Sequence, residues 1–145
     1  FVAVHPNSRN VVPGSVFFSV DLRHPDDRAL AAMGETLRET FNEVVRDEGL
    51  HIKLKEILYF PAHPFDADCV RAVRAGAETL GYAHRDIISG AGHDAVYLSR
   101  VAPTGMIFVP CEDGISHAEI EYAKPEDLAA GCNVLLHAVL ERAGA

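Results

Sequence analysis

The sequence predicts an α+β open-faced sandwich over residues 1–62, followed over residues 63–145 by a segment that runs helix, loop, strand and helix. Three observations predict it. A run of β-branched and aromatic residues alternates with period 2 at residues 15–23. An amphipathic helical pattern follows at once, and then a further apolar run. Finally, Pro61-Ala62-His63-Pro64 breaks the composition and marks a candidate hinge between the two parts.

In chain order, Phe1-Val2-Ala3-Val4 reads as a strand already under way, and the absence of an opening Met leads us to expect a piece of a longer polypeptide. Pro13-Gly14 is a turn signal, so Val2 to Val12 is expected to form a hairpin with Ser15 to Arg23. Val16, Phe18, Val20 and Leu22 would share one face of the second strand, with Phe17, Ser19, Asp21 and Arg23 on the other. Pro25-Asp26-Asp27 opens a helix with acid in its first turn, where the helix dipole favours it. Leu30, Met33, Leu37, Phe41, Val44 and Val45 form its expected buried stripe, and Gly49 ends it. His51 to Phe60 reads as a third strand, with Ile52, Leu54 and Ile57 as inward candidates.

Beyond the hinge, Asp66 is placed to cap a second helix whose apolar face is Val70, Val73, Ala77 and Leu80, closed by Gly81. Thr104 to Val109 reads as a strand. Pro125 fits the first position of a last helix reaching Ala143, with Leu128, Val134, Leu135, Ala138 and Val139 as its core face. No internal repeat or low-complexity stretch interrupts the pattern.

Bulk properties exclude several function classes. A net charge of −8 with scattered basic residues offers nothing to neutralise phosphates, which argues against a nucleic-acid partner. No apolar stretch approaches the roughly 20 residues needed to span a bilayer, so no membrane partner is expected. Cys69, Cys111 and Cys132 are odd in number and irregularly spaced, so they read as reduced thiols of a cytoplasmic protein, most simply as small buried hydrophobes.

Three loops carry more polar chemistry than packing requires. In the first, hairpin pairing would bring Asn10 near Arg23, and an amide beside a guanidinium fork suits a carboxylate. The alternative is that Asn10 satisfies its own turn while Arg23 pairs with Asp21 or Asp26 at the surface. In the second, Ser89-Gly90-Ala91-Gly92-His93-Asp94-Ala95, the glycines admit a ligand close to backbone and His93 can exchange a proton. A turn entering a helix would leave the same pattern, and no Lys-Ser/Thr follows to complete a nucleotide loop. In the third, Gly114-Ile115-Ser116-His117, the imidazole of His117 is placed to ligate a metal, with Glu121 as candidate acceptor for its other nitrogen. A lone His is only part of such a site, and no His, Asp and Glu set within the chain completes one.

Together, Pro6-Asn7-Ser8-Arg9-Asn10-Val11-Val12-Pro13-Gly14 with Asp21-Leu22-Arg23-His24, the Ser89–Ala95 loop, and Met106-Ile107-Phe108-Val109-Pro110 before Gly114-Ile115-Ser116-His117 resemble one family. It is the amidase, hydantoinase and carbamoylase branch of the binuclear-metal peptidases and amidohydrolases, which includes N-carbamoyl-L-amino acid hydrolases, allantoate amidohydrolases and β-ureidopropionases. The resemblance implies that residues 1–62 are the second part of an open-faced α/β sandwich lid and dimerisation domain. Residues 63–145 would be the C-terminal part of an α/β metal-binding catalytic domain. It also implies hydrolysis of a linear amide or ureido bond in a small carboxylate-bearing substrate, two divalent metal ions (Zn, Mn, Co or Ni) and a homodimer.

Residue by residue, the resemblance implies that His117 ligates one metal, Asn10 and Arg23 hold the substrate carboxylate, and Gly92 and His93 line the pocket. The general-base Glu and the other ligands would lie upstream, so no catalytic residue is expected in this stretch and it is expected to be inactive alone. Ala118 departs from the polar residue commoner in relatives. Two alternatives compete: a peptidase or aminoacylase of the same family, and a non-catalytic dimerisation module. Loss of neighbouring strands is also expected to expose apolar surface around Ile107 to Val109.

Overall fold

The computed structural model describes residues 1–144. It is a mixed structure of helices with one small sheet, and it divides into two compact units, Phe1–Ala62 and His63–Ala145.

In the first unit, strands β1 (Val2–His5) and β2 (Ser15–Phe18) pair antiparallel with Val2 opposite Phe18 and His5 opposite Ser15. Opposed residues share a face, so Val2, Val4, Val16 and Phe18 lie together. Phe18 meets Phe41 of helix α1 (Asp27–Glu48) edge to face at 5.8 Å, which identifies the side the helix covers. On the other face Phe1 stands against Phe17 at 5.9 Å. The strands are shorter than the alternation predicts. β1 gives way after His5 to a nine-residue loop closed by a bond from Gly14 N–H to the His5 carbonyl, and β2 stops at Phe18.

Helix α1 begins where the Asp26 carboxylate accepts from the Ala29 N–H at 2.8 Å, and it ends on Gly49 in the left-handed region. Its half-buried row is Leu30, Gly34, Leu37, Phe41 and Val45. Met33 and Val44, expected in that stripe, are exposed. A two-stranded ribbon is narrow, and it shields only the residues directly above it.

The expected third strand does not form. Residues 51–60 make no ladder among the described residues, and Ile52, Leu54 and Ile57 are exposed. The run is tied to α1 instead, by Arg38 donating to Glu56 at 3.1 Å and the Ala62 N–H donating to Asp27 at 2.8 Å. A strand is stable only against a neighbour that takes its backbone groups.

The second unit is built on α2 (Ala67–Thr79) and α4 (Pro125–Ala143), with the short α3 (Asp94–Leu98) between them in sequence. Asp66 caps α2 by accepting from the Cys69 N–H at 2.9 Å. The two long helices meet through small residues. A Cβ added at Gly76 would lie 3.1 Å from the Cβ of His137 and 3.3 Å from the Val134 carbonyl oxygen. Ala72, Ala77, Val134 and Ala138 are buried around that contact. Leu128, Leu135 and Val139, expected in the core face of α4, are exposed instead. They form a second apolar stripe, set off from the row Ala130, Gly131, Val134, His137 and Ala138 that faces inward.

Residues 104–110, expected as a strand from Thr104 to Val109, join no helix and no ladder among the described residues. They are held between the helices all the same. The Thr104 carbonyl accepts from the Asp66 N–H at 3.0 Å, and Gly105 abuts Cys69 so closely that an added Cβ would lie 3.1 Å from the cysteine Cβ. Further along, Val109 lies against Gly131 of α4. Around it the expected apolar exposure is partial: Phe108 is exposed while Ile107 and Val109 are half-buried.

Accessible surface totals 11681 Å². A compact chain of this mass exposes about 7,300 Å², and two separate globules of half the mass would together expose about 8,800 Å². The excess is therefore a property of each unit's thin core. Among the described residues no helix is long and apolar enough to cross a membrane.

Candidate functional site

In the first unit, Asn10 lies in the loop between the strands, where its backbone N–H donates to the Ser8 hydroxyl at 3.4 Å. Arg23 lies just ahead of α1. Its Nη2 is 2.5 Å from Asp21 Oδ2, and its Nε reaches both oxygens of the same carboxylate. That fork-on-carboxylate geometry holds the Asp21 carboxyl below the usual range, chiefly through the hydrogen bonds from the guanidinium. Arg23 is thus already engaged as a carboxylate binder, with a carboxylate of this chain.

In the second unit, the glycine loop turns into α3 with His93 at its N-cap in extended conformation. His93 Nε2 is 2.6 Å from the Ser89 hydroxyl oxygen, which also accepts from the Ala91 N–H at 3.2 Å. The imidazole lies edge-on to Phe108, with centroids 5.4 Å apart. Gly92 has open space where a side chain would be, so no contact among the described residues requires a glycine there. Ser89 and Phe108 are supports that had no role in the sequence-based reading. A hydroxyl four residues before a His across Gly-Ala-Gly was the available signal for the first, and nothing local announced the second.

His117 sits in a loop closed at its base by the Glu112 N–H donating to the Tyr122 carbonyl at 2.8 Å. A 3-10 turn at Glu112–Gly114 opens the loop, and Asp113, Gly114 and His117 all have left-handed backbones, His117 at φ 56°. Glu121 does reach His117, but not as expected. Its carboxylate accepts from the backbone N–H of His117 at 2.8 Å, not from the imidazole. The left-handed backbone at His117 precedes a turn from Ala118 to Glu121, which closes by a bond from the Glu121 N–H to the Ala118 carbonyl. The other Glu121 oxygen lies 3.9 Å from the Cys111 thiol. An open depression of about 280 Å³ beside this loop, lined by Cys111, Glu112, Asp113, Lys124 and Asp127, does not take in His117.

Among the described residues no three His, Cys, Asp or Glu side chains come together to hold a metal ion. His117 could serve as one ligand, but this chain does not assemble a cage around it, and no hydrogen bond or ring contact joins it to His93 among those residues. The cysteines are all free. Cys69 and Cys111 are half-buried, whereas Cys132, expected inside, is exposed on α4. Burial pushes the Cys69 thiol up.

Comparison with known proteins bears on the chain as a whole. The model of peptidase family M20/M25/M40 matches residues 4–141. An N-carbamoyl-L-amino-acid amidohydrolase of Rhizobium meliloti is 45% identical over 138 residues, which is 95% of this chain and 33% of that protein. An allantoate amidohydrolase of Bacillus subtilis is 31% identical, over 92% of this chain and 32% of that protein. The crystal structure of an amidase of the hydantoinase/carbamoylase family from Burkholderia multivorans superimposes with a TM-score of 0.95 at 59% identity, covering 98% of this chain and 34% of that one. The chain thus spans about a third of the length of the relatives it matches. With the family model running through nearly all of it, the chain belongs to peptidase family M20/M25/M40.

Proposed function

We propose that this chain is part of a metal-dependent amidohydrolase that cleaves a linear C–N bond, ureido or amide, in a small carboxylate-bearing substrate such as an N-carbamoyl amino acid or allantoate. The observation that carries this is the 45% identity, along almost the whole chain, to a protein named for that activity. Residues Phe1 to Ala62 would serve as the second part of a lid and dimerisation domain, and the rest as the end of the catalytic domain of a homodimer.

Arg23 and Asn10 would receive the substrate carboxylate. The pairing of Arg23 with Asp21 supports this, because it keeps the planar fork extended and ready for an exchange of one carboxylate for another. Gly92 would leave room for the substrate against backbone, with His93 beside it. His117 would contribute one ligand to a divalent cation. The remaining ligands and the general base would come from the part of the relatives that this chain does not span, so the chain alone should not turn over substrate.

The test is a substrate panel on the longest form of the protein, supplied with Zn, Mn, Co or Ni. It would include N-carbamoyl-L-amino acids, allantoate, N-acetyl amino acids and dipeptides. Release of carbamate-derived ammonia from the first two classes, abolished by a chelator, is the expected result. Preference for acetyl amino acids or dipeptides would move the protein to the aminoacylase or peptidase side of its family. No hydrolysis of any class would leave a binding or dimerisation module.

A further inference from the structure

Two serine–histidine pairs occur in the second unit, and counting their protons gives them opposite polarity. Ser99 donates its single hydroxyl proton to the Val96 carbonyl at 2.7 Å, so its oxygen can only accept from His63 Nε2, which lies 2.6 Å away. His63 must then carry a proton on Nε2. At Ser89 the situation reverses. The oxygen accepts from the Ala91 N–H, and its own proton has one acceptor among the described residues, Nε2 of His93. A neutral imidazole whose Nε2 accepts carries its proton on Nδ1.

We propose that Ser89 is a positioning residue that holds His93 in the Nδ1–H tautomer and so turns a hydrogen-bond donor toward the bound ligand. Three contacts fix the group. The Ala91 N–H orients the hydroxyl, the hydroxyl fixes Nε2, and the edge of Phe108 limits rotation of the ring. Nδ1 is left without a partner among the described residues. A donor held there suits an acceptor oxygen, which is what the amide or ureido carbonyl, or the carboxylate, of a small substrate presents. That ligand class rests on the proposed function; the tautomer does not. Gly92, the residue before His93, has open space where a side chain would stand.

The experiment is a long-range proton–nitrogen correlation spectrum of the histidine rings at about pH 8.5, where an ordinary imidazole is neutral. The expected result is a protonated Nδ1 at His93 and a protonated Nε2 at His63, in the same sample. Ser89→Ala should move His93 toward the Nε2–H form that free histidine prefers, and Ser89→Thr, which keeps the hydroxyl, should restore Nδ1–H. Neither change should alter His63. A wild-type His93 already protonated on Nε2 would overturn the proposal, as would a tautomer indifferent to Ser89→Ala. Because the wild-type spectrum decides the first point, a variant that failed to fold would not shelter the idea. If the tautomers are as stated while the substrate panel is negative, the positioning of His93 stands and the amidohydrolase reading falls. Titration of N-carbamoylglycine into the longest form of the protein joins the two: the Nδ1 resonance of His93 should shift on binding, and in Ser89→Ala the affinity should drop about 5–10-fold, the loss expected for one hydrogen bond.

Discussion

Arg23 is open to two descriptions, of which its contact with Asp21 shows one. It pairs with Asp21 at the surface, which was the plainer of the two alternatives open for it, and the same fork geometry is what a substrate carboxylate would use. Removing the guanidinium should therefore act on binding. In the longest form of the protein, Arg23→Ala is expected to lower kcat/KM for an N-carbamoyl amino acid about 10–100-fold, the range for loss of a charge-assisted hydrogen bond, mostly through KM. Arg23→Lys should recover only part, since an ammonium cannot form the planar pair. Steady-state kinetics of the two variants would check this, and unchanged KM in both would remove Arg23 from the site. A second residue-scale effect follows from Asp66. Its carboxyl lies below the usual 3.8, chiefly because it accepts the Cys69 N–H at the start of α2. A carboxyl depressed on folding stabilises above its unfolded value, and that stability is lost as pH falls through the folded value. Thermal melts followed by circular dichroism should thus lose Tm below about pH 4, and Asp66→Asn, which keeps the acceptor but cannot titrate, should flatten the loss. Parallel decline in both proteins would place the acid sensitivity elsewhere.

Elements divide by whether their stabilising partner is local. The capped and terminated helices were legible because Asp26, Gly49, Asp66, Gly81 and Pro125 act within a turn of where they stand. The hairpin was legible for the same reason, apart from its length. The runs at 51–60 and 104–109 carry strand composition, yet form no ladder among the described residues, because a strand's partner is long-range and composition cannot supply it. Glycines were the least legible of all. Gly131 looks like a weak point in α4 until Val109 is placed against it, where an added Cβ would come within 2.7 Å of the valine Cγ1. Gly131→Ala gains helix propensity of about 1 kcal/mol but forces a β-branched neighbour aside, at about 1–3 kcal/mol. The contact should win, with a net loss of about 1 kcal/mol in urea unfolding. In a Val109→Ala background the same substitution should become neutral or stabilising, and a penalty that persists there would mean the two residues do not meet.

At the scale of the whole molecule, the deciding quantity is how little is buried. Ala72, Ala77, Val96, Val134 and Ala138 make up the buried apolar set among the described residues, and no large side chain is completely enclosed. Meanwhile Ile57, Leu58, Ile88 and Val101 are each at least 75% exposed. Composition gave no warning of this, since 48% hydrophobic content is ordinary. What was missing from the sequence was the count of partners for each apolar face, as on α4, where one stripe is covered and the other is open. The chain by itself should accordingly bind a hydrophobic dye such as ANS strongly and unfold with weak cooperativity. The longest form of the protein should bind little dye per mole and melt sharply. A dye-silent, sharply melting 145-residue chain would show that its open faces find each other in solution.

His117 has a consequence of another kind. Its backbone sits where glycine or asparagine rests more comfortably, and Glu121 latches the amide in that posture. Random drift that rewarded only a well-folded polypeptide would replace this histidine early, and the loop would be the firmer for it. On the proposed role of His117 as a metal ligand, His117→Gly should therefore give the sturdier polypeptide and the weaker metal binder, a trade that urea unfolding and metal titration of the same variant would expose.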